Sequence, residues 1–439
     1  KSYFCRMKNY SQYIFMLALL VATVQVCSAQ VCGCTDSLAL NFNPMATLND
    51  GSCQYASTII MPVEIGALDS QLGSTSSLFY WENGYWTNND HNDSCLYLID
   101  TTTAETVGSR CFDGVYNYDT EEITQDSLYL YFGDVGNNNG NRQNLKILRN
   151  SKESILNQAV VIDTIWFSYE DQTDFTPNPQ ATDFDCEAFI VSGDSIYIFT
   201  KEWVSTQTTI YAIPKTPGAH MARRCETYNV NGLITGAAYM PEYKLVVLCG
   251  YDYDPSILLS SLHPFVLLLY DFQGDRFFSG NKRRLDFDFS TRAQIEAIAT
   301  RNALDYYITN ESTSIPVMDL VVDIPPALQR LDLRDYLFPY LSRFGVTDNP
   351  DAVPSLQNQK ADIRIYPNPV HDKIYIDYTQ DLAGSVYEIY NLRGQRVAEG
   401  LLDEHVIMLD NGNLPAGQYV LTVRENGSLK SVSFIKKKQ

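Results

Sequence analysis

A repeat limits what this chain can fold into more than any other feature. Between Thr58 and Gly345, short strand-like segments recur in a fixed order. The first segment opens on polar residues: SSLFYW from Ser76, TEEIT from Thr120, CEAFIV from Cys186, TGAAYM from Thr235 and IEAIAT from Ile295. The second is Tyr-rich and ends polar: GYWTNND, LYLYFGD, SIYIFTKE, KLVVLCGYD and DYYITNE. The third has an apolar centre (CLYLID, NLKILRN, TTIYAIP, PFVLLLYDF, ALQRLDL), and the fourth is outermost and variable. Helical periodicity is nearly absent, and runs such as Ser195 to Phe199 and Tyr243 to Leu248 read as strands. Units of four strands spaced by about 45 to 65 residues predict an all-β chain built on a β-propeller. Five blades are expected, with six as the alternative count; a β-sandwich, the alternative fold, has no four-strand period. The fifth unit lacks a fourth strand after Leu331 to Asp335, and Ile59 to Ile65 is an orphan strand ahead of the first. Pairing the two closes the ring through the chain ends and leaves no open edge there.

The segments outside the repeat bound where the protein works. Residues 1–29 read as a signal peptide: Lys8, an apolar run from Tyr13 to Val26, then Cys27-Ser28-Ala29 before Gln30, with Met7 as the start. That run is short of the ~20 residues a spanning helix needs, and no other stretch is apolar for long enough. Residues 30–57 form a short Cys-flanked motif, 58–345 the propeller, 346–361 a polar linker with two prolines, and 362–439 a small Ig-like β-sandwich. The formal charge of -20 argues against nucleic acid as a partner and fits divalent cations or simple solubility. Export favours disulfides. Cys95 opens the third strand of the first unit and Cys111 closes the fourth, so a hairpin turning near Thr103 sets them side by side. Cys32, Cys186, Cys225 and Cys249 have no partner that the spacing identifies.

Three resemblances add to this reading. IYPNPVHDKIYI at Ile365 to Ile376, YEIYNLRGQRV at Tyr387 to Val397, LPAGQYVLTV at Leu414 to Val423 and the closing FIKKK resemble the type IX secretion C-terminal sorting domain of Bacteroidota. The resemblance implies the type IX machinery as partner, passage through the periplasm, and an extracellular or outer-membrane surface location. Gly33-Cys34-Thr35-Asp36 to Asp50-Gly51-Ser52-Cys53 resembles a short Cys-flanked motif of secreted bacterial proteins. A Cys34–Cys53 bridge there closes a loop for roughly 3 kcal/mol, which a segment with so little core needs. The central region, through GDVGNNNGNR at Gly133, DFDCEAF at Asp183, GLITGA at Gly232 and GNKRR at Gly280, is similar to Bacteroidota propellers of unassigned role. It is distantly similar to phytase-like and esterase-like propellers, in which an acidic-x-Glu step opens the inner strand. The step stands at Asp119 to Ile123, Asp185 to Phe189 and Gln294 to Ile298. Ser76-Ser77 and Thr235-Gly236 depart from it, and no catalytic His, Lys or Arg set carries over.

In a propeller the innermost strands start on one face, and the loop after each second strand returns to it. Inner-strand starts bring Asp119, Glu121, Asp185, Glu187 and Glu296; second-strand ends bring Asn88, Asp90, Asp134, Asn137, Lys201, Glu202, Asp252, Asn310 and Glu311. Two carboxylates ~6 Å apart repel by roughly 3 kcal/mol at an effective dielectric near 20, which a bound cation or a proton relieves. Calcium on Glu121, Glu187, Glu296, Asp119 and Asp185 is one expectation, and strand-start capping is the other. Asp90, Asp134, Lys201, Glu202, Asp252 and Glu311 are the expected binding residues. Two functions fit: a non-enzymatic module taking a glycan, peptide or small molecule at an acidic mouth, and a calcium-dependent phosphoesterase or esterase-like hydrolase. The second needs basic groups for its anionic substrate, and Lys201 and Arg142 are the candidates. His91, His220 and His263 lack zinc-ligand spacing.

Overall fold

The structure, a computed structural model, describes residues 30–91, 93–112, 117–157, 161–253, 262–288, 291–317, 320–346 and most of 363–437. The expected signal peptide and nearly all of the expected linker lie outside the described residues. The chain divides into two compact units, Lys1–Asp348 and Asn349–Gln439.

In the first unit, β1 (Cys32–Gly33) pairs in parallel with β2 (Leu48–Asn49), and β3 (Ile59–Ile60) and β4 (Val63–Ala67) follow. Blade one is β5 (Thr75–Trp81), β6 (Gly84–Asn89), β7 (Cys95–Ile99) and β8 (Thr106–Cys111). Blade two is β9 (Thr120–Gln125), β10 (Tyr129–Asp134), β11 (Lys146–Ser151) and β12 (Ile162–Tyr169). Blade three is β13 (Asp185–Ser192), β14 (Ser195–Lys201), β15 (Gln207–Pro214) and β16 (Gly218–Asn229). Blade four is β17 (Leu233–Met240), β18 (Leu245–Tyr251), β19 (Pro264–Tyr270) and β20 (Asn281–Phe287). Blade five has β21 (Ile295–Thr300), β22 (Asp305–Asn310) and, after a hairpin of β23 (Thr313–Val317) and β24 (Leu320–Ile324), β25 (Ala327–Asp332). Its fourth strand is β4, antiparallel to β25. The innermost strands neighbour one another in the closed order β5, β9, β13, β17, β21 and back to β5. This is a β-propeller closed by its N-terminal strand.

The expected orphan strand is two strands, not one. Pro62 interrupts Ile59 to Ile65 and offers no N–H to a ladder. The chain therefore switches partners: β3 pairs in parallel with β20 of blade four, and β4 completes blade five. The outer edges of blades two and three cover each other by parallel pairing of β12 with β16, giving one continuous eight-stranded sheet. The β23–β24 hairpin had no counterpart in the repeat.

The tyrosines of the repeat fill the interfaces between blades. Tyr169 sits edge-on to Phe167 and Tyr211 at ring separations of 5.6 and 4.7 Å, and Tyr85 of blade one meets Tyr307 of blade five at 4.7 Å. Such pairs bury large rings at low entropic cost and add about 1 kcal/mol each beyond their area.

The Cys-flanked segment docks on the outer edge of blade four. Asp36 accepts hydrogen bonds from the hydroxyls of Tyr55 (2.7 Å) and Tyr270. Asn49 Nδ2 donates to Asp271 at 3.0 Å and to Asn281 at 2.9 Å, and the Arg283 guanidinium lies 4.9 Å from the Tyr55 ring centre and 4.8 Å from that of Tyr336. Both expected disulfides are formed, Cys34–Cys53 with Cα atoms 4.8 Å apart and Cys95–Cys111, register partners in blade one, at 4.0 Å. Cys186 and Cys249 are free and buried; Cys32 and Cys225 are free and exposed. Cys53→Ser is expected to cost roughly 3 kcal/mol of stability, the loop-closure value. Urea denaturation with and without reductant checks it: the wild type loses this increment on reduction and the variant does not.

The second unit is a pair of sheets. One comprises β26 (Ile363–Tyr366), β27 (Lys373–Tyr378) and β30 (Val406–Met408); the other β28 (Val386–Asn391), β29 (Arg396–Leu401), β31 (Gly417–Glu425) and β32 (Ser428–Lys436). Its core is built from Val370, Tyr387, Ile389, Leu402, Tyr419, Leu421, Val423 and Phe434.

Candidate functional site

Every innermost strand carries a β-bulge at the same place. In register against the second strand, Ser76, Glu121, Glu187, Thr235 and Glu296 are the skipped residues of blades one to five. A bulge leaves its extra residue unpaired and re-aims its side chain. Five bulges at one level set five side chains in a ring, which explains the departures in blades one and four. Those two blades hold the ring position with hydroxyls instead of carboxyls. Ser76 Oγ donates to the Glu121 carbonyl at 2.7 Å and approaches its Oε2 at 3.1 Å, while Thr235 Oγ1 donates to the Ile295 carbonyl at 2.5 Å. Each hydroxyl thus ties its bulge to that of the next blade.

The three ring glutamates are buried. Lys201, the last residue of β14, is buried with them, and its Nζ donates to Glu187 Oε1 and Oε2 at 2.5 and 2.6 Å. The same ammonium lies 4.7 Å from the Trp203 ring centre and 5.4 Å from that of Tyr251. Burial opposes its charge, but Glu187 and the neighbouring Tyr251, Glu296 and Asp185 outweigh it and hold Lys201 well above the ordinary lysine range. Burial and nearby carboxyls push the acids up. Glu187 rises to about 8 despite Lys201, and Glu121 and Glu296 stand well above the carboxylate range. At the rim Asp90, Asp119 and Glu311 are partly exposed. Burial raises Asp119 to about 6 against the pull of Arg142, and Glu311 to about 7 against that of Lys201. Burial also raises Asp90, which pairs with the half-exposed His91. The ring holds protons because burial disfavours more charge than one lysine offsets.

The glycine-rich stretch at Gly133 shapes one wall. A Cβ on Gly136 would overlap the carboxyl oxygens of both Asp119 and Glu121, so only glycine lets this loop approach. Arg142 closes the loop by donating to the Gly136 carbonyl at 2.7 Å and to Asp134 at 2.6 Å.

The remaining expected residues divide by what occupies them. Asp185 is fully buried and caps strand starts: its Oδ1 accepts from the Asn137 and Cys186 amides at 2.5 and 3.0 Å, its Oδ2 from Trp203 Nε1 at 2.8 Å. Asp134 is held by Arg142 and Lys146. Glu202 accepts from the Thr200 and Ser205 hydroxyls, and Asp252 pairs with Arg284 at 2.5 Å. Lys201, Asp90 and Glu311 stay with the ring, within electrostatic reach of one another. Among the described residues no three His, Cys, Asp or Glu side chains are grouped as a metal ion needs. Sequence reasoning missed Tyr251, Trp203 and the hydroxyl members Ser76 and Thr235. The last two stand first in their segments where the glutamates stand second, so only the strand register brings all five to one level.

Comparison with known proteins places the chain in the cell. Residues 364–437 match the family model described as the secretion system C-terminal sorting domain. The chain is a type IX secretion cargo. It is delivered outside the cell or to its surface, and no helix among the described residues is long and apolar enough to cross a membrane. No curated protein matches significantly. Among solved structures, Myxococcus xanthus glutaminyl cyclase is similar at 11% identity and a TM-score of 0.36, over 63% of this cargo and 100% of that chain. PorZ, a surface component of the type IX system of Porphyromonas gingivalis, is similar at 11% identity and a TM-score of 0.31, over 83% of this cargo but only 45% of its own chain. The extracellular domain of a one-component system of B. thetaiotaomicron gives 12% and 0.31, over 86% and 60%. At these values the likenesses carry no inference about chemistry.

Proposed function

We propose that this exported propeller binds an extracellular ligand bearing an amine or guanidinium group at its acidic mouth. The observation that carries the reading is the imbalance of charge there. Asp90, Asp119 and Glu311 rim a buried set of Glu121, Glu187 and Glu296, and the ammonium buried with them, Lys201, is already held by both oxygens of Glu187. An entering cation replaces the protons on Asp119 and Glu311 and relieves the same repulsion. The basic groups that a phosphate-type or ester substrate needs are engaged, Lys201 by Glu187 and Arg142 by Asp134. This favours binding over the hydrolase.

Isothermal titration with spermidine and with Lys- and Arg-terminated tripeptides tests it. Asp119 and Glu311 titrate at about 6 and about 7, so affinity is expected to rise between pH 5.5 and pH 8, with protons released on binding. Asp119→Asn or Glu311→Gln is expected to weaken binding about tenfold, near 1.4 kcal/mol. Binding by none of these amines, or binding indifferent to pH and to both substitutions, overturns the proposal. A chelator arm separates the calcium reading: with Lys201 as the ring's cation the melting temperature stays put, whereas a fall of several degrees assigns calcium to Glu121, Glu187 and Glu296.

A further inference from the structure

The channel has a second mouth, where the inner strands end, and its chemistry is the reverse of the first. Two to four residues beyond the ring, roughly 7 Å or more along the strands, all five blades line a cavity of about 310 Å³. Its wall is apolar, with Leu78, Ile123, Val191, Ala238 and Ile298, one from each blade. Behind the lining residues Ile123 and Ala237, Glu122 is buried: burial holds its carboxyl well above the carboxylate range, and its two oxygens accept the Ile123 and Ala237 amides at 2.9 and 3.1 Å. Asp126, the one carboxylate among the lining residues, is occupied by the Leu128 and Tyr129 amides at 2.8 Å each and by the Tyr131 hydroxyl at 2.8 Å. Lys215 Nζ lies 3.1 Å from the same carboxylate, so its charge is paired. Tyr80 and Tyr239, both partly exposed, line it from blades one and four, with the Arg301 guanidinium 5.6 Å from the Tyr80 ring centre and the Tyr239 ring the freer of the two. Also lining it are the Thr124 hydroxyl, Gln125, whose Nε2 donates to the Tyr80 carbonyl at 2.7 Å and whose Oε1 can still accept, and Ser192, whose Oγ donates to Asp275 at 2.8 Å and lies 3.1 Å from the Tyr239 hydroxyl.

We infer that this second mouth binds a neutral sugar ring, such as the terminal residue of a glycan. Aromatic faces take the C–H side of such a ring, and hydroxyl and amide groups beside them take its hydroxyls. The volume is at the small end of the range for ligand pockets, which suits one ring rather than a chain. The small Ala237, Ala238 and Ala299 make the space, since larger side chains at those places would fill it.

Saturation-transfer NMR on the full chain tests this with five probes, the methyl glycosides of glucose, galactose, mannose, fucose and N-acetylglucosamine. At least one is expected to show transfer. Tyr239→Ala should reduce that signal at least fivefold and Ala238→Leu should abolish it, while Met221→Ser on the exposed outer strand β16 leaves it intact. Tyr239→Ala keeps the test decisive if Ala238→Leu does not fold. Transfer to none of the five, or transfer unaffected by both cavity substitutions, overturns the inference. Spermidine at the acidic mouth should not displace the sugar, so failure of the amine proposal leaves this one standing.

Discussion

Replacing Lys201 with Met is expected to destabilise the propeller by about 3 kcal/mol at pH 8 and by clearly less at pH 6. Both partners of the Lys201–Glu187 pair are buried, with side chains 4% and 5% exposed, so water screens little of the loss. Removing one member of such a pair leaves an uncompensated charge in the interior, and that residue, more than the lost contact, sets the cost. Glu187 has an escape. Its value of about 8 already includes the pull of Lys201, so without the lysine it rises further and the carboxyl takes up a proton, at a cost that shrinks as pH falls. The double variant Lys201→Met with Glu187→Gln removes both charges and is expected to recover most of the loss at either pH. Urea denaturation of the four members of this cycle measures the coupling directly. A cost below 1 kcal/mol at pH 8, or one that does not change with pH, would show that the pair is not the closed ion pair described here.

The second large effect is a stability that falls as pH rises. Glu121 and Glu296 are held well above the carboxylate range, Glu187 at about 8, Glu311 at about 7 and Asp119 at about 6. In the unfolded chain the same groups titrate near 4. The folded state therefore binds more protons between these limits, and stability declines with pH wherever that is so. Its contribution is complete below about pH 4 and is lost as pH climbs through 6 to 8. Asp126 and Asp305 work in the opposite sense on the acid side. Hydrogen bonds lower both, so they stabilise above the ordinary aspartate value and fail below it. His263, lowered by burial, opposes the main trend, but it is one partly exposed group. The melting temperature of the propeller is expected to peak near pH 5 and to drop by about 5 °C or more by pH 8, from a loss of ~2 to 4 kcal/mol. A flat profile over that interval would mean that the ring carboxyls are ionised in the folded protein. The same protons are the ones a cationic ligand displaces, so a saturating amine should flatten the decline.

The local pattern carries much of this molecule. Strand-length apolar runs, polar strand starts and the spacing between them specify four-stranded blades because side chains alternate along a strand and each blade must bury both faces. Closure by the N-terminal strand follows from the same pattern, since a blade with three strands and a strand with no blade have one economical solution. Cys95 and Cys111 are hairpin neighbours, and the sorting domain is written in contiguous motifs; both are legible without the rest of the fold. The bulges are not. A skipped residue exists only relative to the register of its partner strand, so nothing in SSL, TEE or TGA says which side chain leaves the ladder. The fate of each charge is hidden for a related reason. Arg142 serves Asp134 and Lys201 serves Glu187 because loops and strand ends meet across the ring, and no spacing in the chain distinguishes a carboxylate that is spent from one that is offered. Pro62 is the exception that could be read, a single residue without an N–H, yet its consequence of sending β3 and β4 to different blades depends on where those edges stand in space. The second mouth was hidden entirely, because a cavity is what five strands fail to fill together.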